Sequence, residues 1–221
     1  MSNSPIHGFA DRFIIIVLAA ALAAGLGLFA AQKFFAADQR LPGVSQSQLR
    51  SVRLIASPRV LPAYRLLLSD GTALTPGRLA GHWTVVFLGF THCPDVCPTI
   101  LAEFAGAQKS WASLPESIRP RLLFVSVDPE RDTPEKTGEY AHYFHADTLA
   151  AGGSPAQLAQ FAQAMGLVYM KVPLENRDYT MDHSATLVLL DPQGRQAGLI
   201  RAPLAWKDVA QDLRVLAEGG R

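Results

Sequence analysis

Apolar and polar positions follow three rhythms along this chain of 221 residues, and each predicts a different element. Near the start, Phe13–Ala31 is apolar throughout and carries no charge. Such a run can cross the roughly 30 Å hydrocarbon core of a bilayer as one helix. It is longer than the roughly 7–15 apolar residues of a secretory signal, so an uncleaved transmembrane anchor is expected. A cleaved signal is the competing reading, since Ala30 and Ala31 before Gln32 offer small residues to a peptidase. Residues 1–12 are then a short tail, and residues 32–57 a polar tether with Pro42, Gly43 and the Ser/Gln cluster Ser45–Gln48. Residues 58–221 form one domain.

Inside that domain the rhythm shortens. Tyr64–Leu68 reads as a strand that meets the turn Ser69-Asp70-Gly71-Thr72 and returns through Ala73-Leu74. Trp83–Phe90 and Arg121–Val127 are apolar on both faces, which suits central strands covered on both sides. Helical spacing runs from Pro98 to Trp111. Thr133-Pro134-Glu135 and Ser154-Pro155-Ala156-Gln157 are helix starts, a cap residue followed by proline, and Gly166 ends the second helix. Val168–Val172 is a further candidate strand. Thr186–Leu190 and Gly198–Arg201 form a hairpin through Asp191-Pro192-Gln193-Gly194, and a last helix spans Trp206–Ala217. This order predicts an α/β fold, a central mixed sheet flanked by helices.

A formal net charge of +1 gives no reason to expect nucleic acid or strong electrostatic steering. The candidate chemistry sits in one short stretch. Both cysteines of the chain, Cys93 and Cys97, lie in Phe90-Thr91-His92-Cys93-Pro94-Asp95-Val96-Cys97-Pro98, after a central strand and before a helix. That is the placement of a thioredoxin-like site. Two sulfurs this close can cycle as a dithiol and disulfide or grip a soft metal. A merely structural disulfide is disfavoured, because a staple gains most from closing a long loop. Pro98 suits the first helical position, which places Cys97 at the N-cap and makes Cys93–Cys97 a proline-clamped turn. Both sulfurs are then expected over a helix N-terminus, where the dipole favours thiolate, most clearly at Cys97.

The third candidate is His183, in Asp182-His183-Ser184-Ala185, just before the strand Thr186–Leu190. Strand ends gather at one edge of such a sheet, where loops carry sites. A satisfied structural histidine is the bland alternative. His92 beside the cysteines is a candidate outer partner. His142 and His145 fall on a helix face, His82 in a turn and His7 before the anchor. Asp128 either orients the site or the Arg131 loop, or belongs with Asp132 and Thr133 to a turn-and-cap cluster, the better-supported reading. Met181 offers a soft donor but reads as packing.

Gly89–Pro98, Val127-Asp128-Pro129-Glu130-Arg131-Asp132-Thr133-Pro134 and Asp182-His183-Ser184-Ala185-Thr186 together closely resemble the Sco/SenC family, over roughly residues 60–218. The resemblance implies a thioredoxin-like, copper-binding domain, held by its anchor on the periplasmic side of the inner membrane (or facing the mitochondrial intermembrane space). It implies copper bound by Cys93, Cys97 and His183. It further implies maturation of the copper centre of cytochrome c oxidase, by copper delivery, by reduction of the target's cysteines, or both. The implied partners are the copper-bearing oxidase subunit or another exported copper protein, and a copper donor. Asp147–Gly153 departs from the family pattern and puts a strand there in doubt.

Ligand chemistry agrees with the resemblance. Two soft thiolates and an imidazole suit three-coordinate monovalent copper; divalent copper needs a further donor. Zinc accepts the same ligands with one position open. The rival function is a periplasmic thiol–disulfide reductase, for which Cys93 and Cys97 are the redox pair and no copper transfer is obligatory. A thiol peroxidase fits least, for want of its cysteine surroundings.

Overall fold

The computed structural model describes residues 7–37, 44–175, 178–201 and 203–219. The expected tail up to residue 6 and the Pro42-Gly43 part of the tether lie outside them. The chain divides into two compact units, Met1–Arg40 and Leu41–Arg221.

In the first unit, α1 runs over His7–Ala37 and contains the expected apolar run. Its segment Ile14–Ala31 has a mean hydropathy of 2.6, and none of it is buried. By length and composition it is long and apolar enough to cross a membrane.

The second unit is built on one eight-stranded sheet. Its strands are β1 (Val52–Arg59), β2 (Leu66–Leu68), β3 (Ala73–Leu74), β4 (Thr84–Gly89), β5 (Arg121–Ser126), β6 (Leu149–Gly152), β9 (Thr186–Leu190) and β10 (Gln196–Arg201), in the order β1-β10-β9-β4-β5-β6-β2-β3. β4, β5 and β6 are mutually parallel, while β9 joins β4 antiparallel, so the sheet is mixed. Every residue of β4 is buried, as the continuous apolar run required. A separate two-stranded sheet pairs β7 (Tyr169–Pro173) with β8 (Tyr179–His183).

The helices are α2 (Val96–Trp111), α3 (Pro134–Phe144), α4 (Pro155–Met165) and α5 (Trp206–Gly219). α2 packs on α5, and α3 lies against β5 and β6. Trp83 and Trp111 each donate an indole N–H, at 3.0 Å, to a carbonyl of α5 (Leu216 and Ala210), so these large rings are buried without an orphaned donor. Local signals end the helices as expected. Thr133 accepts from the Lys136 amide, Ser154 and Gln157 form a capping box, and Gly166 turns the chain out of α4 at φ 68°.

Three expectations change. Val52–Arg59, most of which lies within the expected tether, is the edge strand β1. Its start is fixed by the buried Asp212 carboxylate of α5, which accepts the amides of Arg50, Ser51 and Val52 at 2.7–3.0 Å. Pro58, which argues against a central strand, is tolerated because, among the described residues, β1 pairs on one side only. The doubtful stretch after Asp147 does hold a strand, β6, wedged between β5 and β2. Finally, α2 begins at Val96, not Pro98, with Asp95 at its N-cap. Pro98 still fits, because first-turn positions need no intrahelical amide and Pro94 lies outside the helix.

Candidate metal and redox site

β4 and β5 run in parallel, so their C-terminal ends open on one edge of the sheet. The loop after β4 carries Cys93 and leads into α2. The loop after β5 carries Asp128–Asp132. The first loop is held at its base, where the Val127 amide donates to the Gly89 carbonyl at 2.8 Å and the Cys93 amide to the Phe90 carbonyl at 3.3 Å. The Cys97 amide, a free donor of the first turn of α2, points at the Cys93 sulfur at 3.3 Å.

His183 arrives from the other side, at the end of β8 and opposite Tyr169 of β7. Its Nε2 lies 3.7 Å from the Cys97 sulfur. Its Nδ1 is 3.2 Å from the Ser184 carbonyl, which can only accept, so Nδ1 carries the proton and Nε2 offers a lone pair to the sulfurs. The Cys93, Cys97 and His183 donor atoms all lie within 4.8 Å of one another. The three residues singled out from sequence thus converge in one place. The rings of Phe87 and Phe90 stand edge-on to the imidazole, with centroids at 6.0 and 6.1 Å. Burial lowers the His183 pKa, against smaller opposing effects of the Ser184 carbonyl and Asp182, so the imidazole stays neutral and ready to bind a cation.

One electrostatic expectation fails. Cys97 is not at the helix cap but inside the first turn of α2, fully buried. Burial, and then its contact with Cys93, push its thiol pKa strongly upward. The helix dipole contributes up to ~2 kcal/mol at best, and desolvation of a thiolate among apolar groups outweighs it. The metal-free pair is therefore a buried thiol at Cys97 beside a more accessible one at Cys93. A soft cation would supply the missing compensation, since binding displaces the thiol protons.

The remaining candidates fall into structural roles. His92 is exposed and bonds Thr91 Oγ at 3.0 Å, outside the three-donor group. His142, His145 and His82 each meet the backbone. Met181 is buried in the core. Asp128 is more than a cap. Its carboxylate takes the Arg131 Nε and, at 2.8 Å, the Tyr179 hydroxyl, tying the β5 loop to the strand that ends in His183. Arg131 also donates to the Tyr179 carbonyl at 3.1 Å and lies 3.8 Å over the Tyr179 ring. Burial, with that carboxylate beside it, pushes the Tyr179 pKa up to about 12, so its hydroxyl remains a donor.

Two contributors escaped the sequence reading. A Cβ at Gly89 would stand 2.6 Å from Phe124 and 2.8 Å from the Cys97 sulfur, so the strand can pass this close only as glycine. Tyr179 gave no signal of its own, since its partner lies far away in the sequence.

A mixed sheet with a cysteine pair where a central strand passes into a helix defines a thioredoxin-like protein, and here a histidine faces the pair. Comparison with known proteins narrows that class. The SCO1/SenC family pattern matches residues 53–218. A putative copper-binding protein of Stutzerimonas stutzeri is 34% identical over 156 residues, covering 70% of this chain and 75% of that protein. Protein SCO1 homolog 1, mitochondrial, of Arabidopsis thaliana is 38% identical over 131 residues; the match takes in 59% of this chain and only 39% of that longer protein. Among solved structures, Bradyrhizobium japonicum ScoI with copper bound superposes with a TM-score of 0.64 at 34% identity, covering 70% of this chain and 98% of that one. The chain belongs to the SCO1/SenC family.

Proposed function

We propose that this protein is a membrane-tethered copper carrier that assists maturation of the copper centre of cytochrome c oxidase. The observation that carries the reading is the approach of His183 Nε2 to 3.7 Å from the Cys97 sulfur. Disulfide exchange needs only the two sulfurs, whereas a carrier needs a third donor. Cys93, Cys97 and His183 are the proposed copper ligands. Thiolate softness selects monovalent copper, and the copper-bound B. japonicum relative supports copper over zinc without bearing on its oxidation state. Divalent copper would take a further donor.

The same pair can also reduce a client. Cys93, the more accessible sulfur, attacks the client disulfide and releases one client thiol. Cys97 then attacks the mixed disulfide, freeing the second client thiol and leaving Cys93–Cys97 oxidised. Two electrons and two protons pass to the client, which would prepare its cysteines for the metal. Delivery and reduction are thus alternative uses of one site: after reducing a client, the oxidised pair needs two electrons from a further thiol reductant before it can take copper from a donor and pass it to the copper-bearing oxidase subunit or another exported copper protein. The apolar helix α1 is read as a single-pass anchor in the inner membrane, with the domain in the periplasm; full-length protein in the membrane fraction supports it, and a mature chain starting near Gln32 contradicts it.

Purified full-length protein in detergent should bind one copper per chain. His183→Ala should weaken copper retention by more than about 100-fold, since loss of an outer partner alone costs roughly 10–100-fold. The Cys93–Cys97 couple should still cycle in that variant. Unchanged copper retention in His183→Ala overturns the assignment of the third donor.

A further inference from the structure

Asp132 stands directly behind the cysteine loop without touching either sulfur. Its side chain is fully buried; among the described residues no lysine or arginine pairs with it, and the exposed His92 imidazole comes no nearer than 3.7 Å to Oδ1. What balances the carboxylate is a set of short hydrogen bonds aimed at one place. Oδ2 accepts the Thr91 amide at 2.8 Å and the Ser126 hydroxyl at 2.5 Å, and Oδ1 accepts the Thr91 hydroxyl at 2.5 Å. Thr91 is therefore clamped through both its backbone and its side chain, two residues before Cys93. Ser126 ends β5, the neighbour of β4, so the clamp is anchored in the rigid centre of the sheet. A buried carboxylate is costly unless its bonds are complete. Here almost all of that compensation comes from the segment leading into the site.

We propose that Asp132 is a positioning residue of this site: by clamping Thr91 to Ser126 it holds Cys93 over Cys97, and so sets both copper retention and the dithiol–disulfide equilibrium of the pair. The first half rests on the copper reading above; the second does not. Without the clamp the loop keeps the Val127 amide on the Gly89 carbonyl, the Cys93 amide on the Phe90 carbonyl and the Cys97 amide at the Cys93 sulfur, and loses its side-chain anchor. Cys93 would then sample positions away from its partner sulfur, and both the chelate and the disulfide would lose preorganisation.

The test uses full-length protein in detergent, with Asp132→Asn, Thr91→Val and the conservative Thr91→Ser. Monovalent copper retention is read by competition with a chromophoric chelator. The metal-free equilibrium is read in glutathione buffers. Asp132→Asn and Thr91→Val should each lose about 10–100-fold in copper retention. Each should also shift the dithiol–disulfide constant about tenfold, or some 30 mV for two electrons. Thr91→Ser, which keeps the hydroxyl, should behave as wild type. If Asp132→Asn does not fold, the two Thr91 variants decide between them. Wild-type values within twofold in folded Asp132→Asn or Thr91→Val overturn the proposal. If wild type binds no copper, the carrier reading fails, yet the glutathione equilibrium still decides whether Asp132 positions the pair.

Discussion

The two halves of the site are held in opposite ways. The cysteine half belongs to the core: Cys97 is buried in α2 against Gly89, and the loop before it is bonded to the ends of β4 and β5. The histidine half belongs to a two-stranded ribbon, β7–β8, that is not part of the main sheet. A hairpin of this size has little stability of its own, so what places His183 is the attachment of its side chains to the rest of the domain, with Met181 buried in the core. Asp128 and Arg131 grip Tyr179, while Lys171 of β7 pairs with Glu130 at 2.6 Å and covers the same tyrosine ring at 3.8 Å. The sulfurs are thus a fixed platform, and the imidazole is an arm seated by Met181 in the core, by the Phe87 and Phe90 rings and by a few polar contacts. For a carrier this division has a use. A platform that keeps its geometry can exchange a cation when the arm lifts, without unfolding anything.

The largest test of the platform is Gly89→Ala. The added methyl group cannot avoid Phe124 or the Cys97 sulfur, and overpacking of this kind costs about 1–3 kcal/mol. Denaturant unfolding should show that loss, together with weakened copper retention. Next comes the chemical asymmetry of the pair. Cys97 is buried and its thiol is pushed upward, so in metal-free protein near pH 8 it should alkylate at least about tenfold more slowly than Cys93. Peptide mapping of the labelled protein checks this, and equal rates would contradict the buried-thiol picture.

The arm is tested by Tyr179→Phe, which removes one donor from the Asp128 carboxylate and should cost about 1 kcal/mol. Copper should dissociate faster, while the Cys93–Cys97 equilibrium stays at its wild-type value; a shift in that equilibrium would erase the distinction between the two halves. The smallest effect concerns pH. The folded state holds the His183 pKa below its ordinary value of 6.5. Below that pH the unfolded chain binds a proton here that the folded chain does not. Stability should therefore slip as pH falls below 6.5 and level off once the folded imidazole also protonates. An NMR titration of His183 in metal-free protein should place its midpoint below 6.5, and His183→Gln should remove this part of the slope.

The same division separates what could be read in the sequence from what could not. β4, β5 and the β9–β10 hairpin announced themselves through apolar runs and turn residues, and α3 and α4 through caps, because those signals are local. β1 is half exposed and carries Pro58, and it exists because Asp212, far along the chain, receives its leading amides. β6 is short and made of leucine, alanine and glycine, so only its neighbours make it a strand. β8, Tyr-Thr-Met-Asp-His, has one buried apolar residue, Met181, among polar and aromatic ones, and it pairs outside the main sheet. In the site, the cysteines stood out by their spacing and His183 by its place before a strand and by family resemblance. The supports were silent: Gly89 matters through Phe124, Tyr179 through Asp128 and Asp132 through Thr91, all contacts that the fold alone creates. The thiol acidity was misjudged for a related reason. Sequence shows that a helix begins near Cys97 but not how deeply the sulfur is buried.

The central claim is that one cation is shared by the buried sulfur platform and the imidazole arm. X-ray absorption at the copper edge of the full-length protein, loaded with one equivalent of monovalent copper, tests it most directly. Two sulfur donors and one imidazole nitrogen are the predicted first neighbours, with the nitrogen lost in His183→Ala. A sulfur-only environment, the same in wild type and variant, would contradict it.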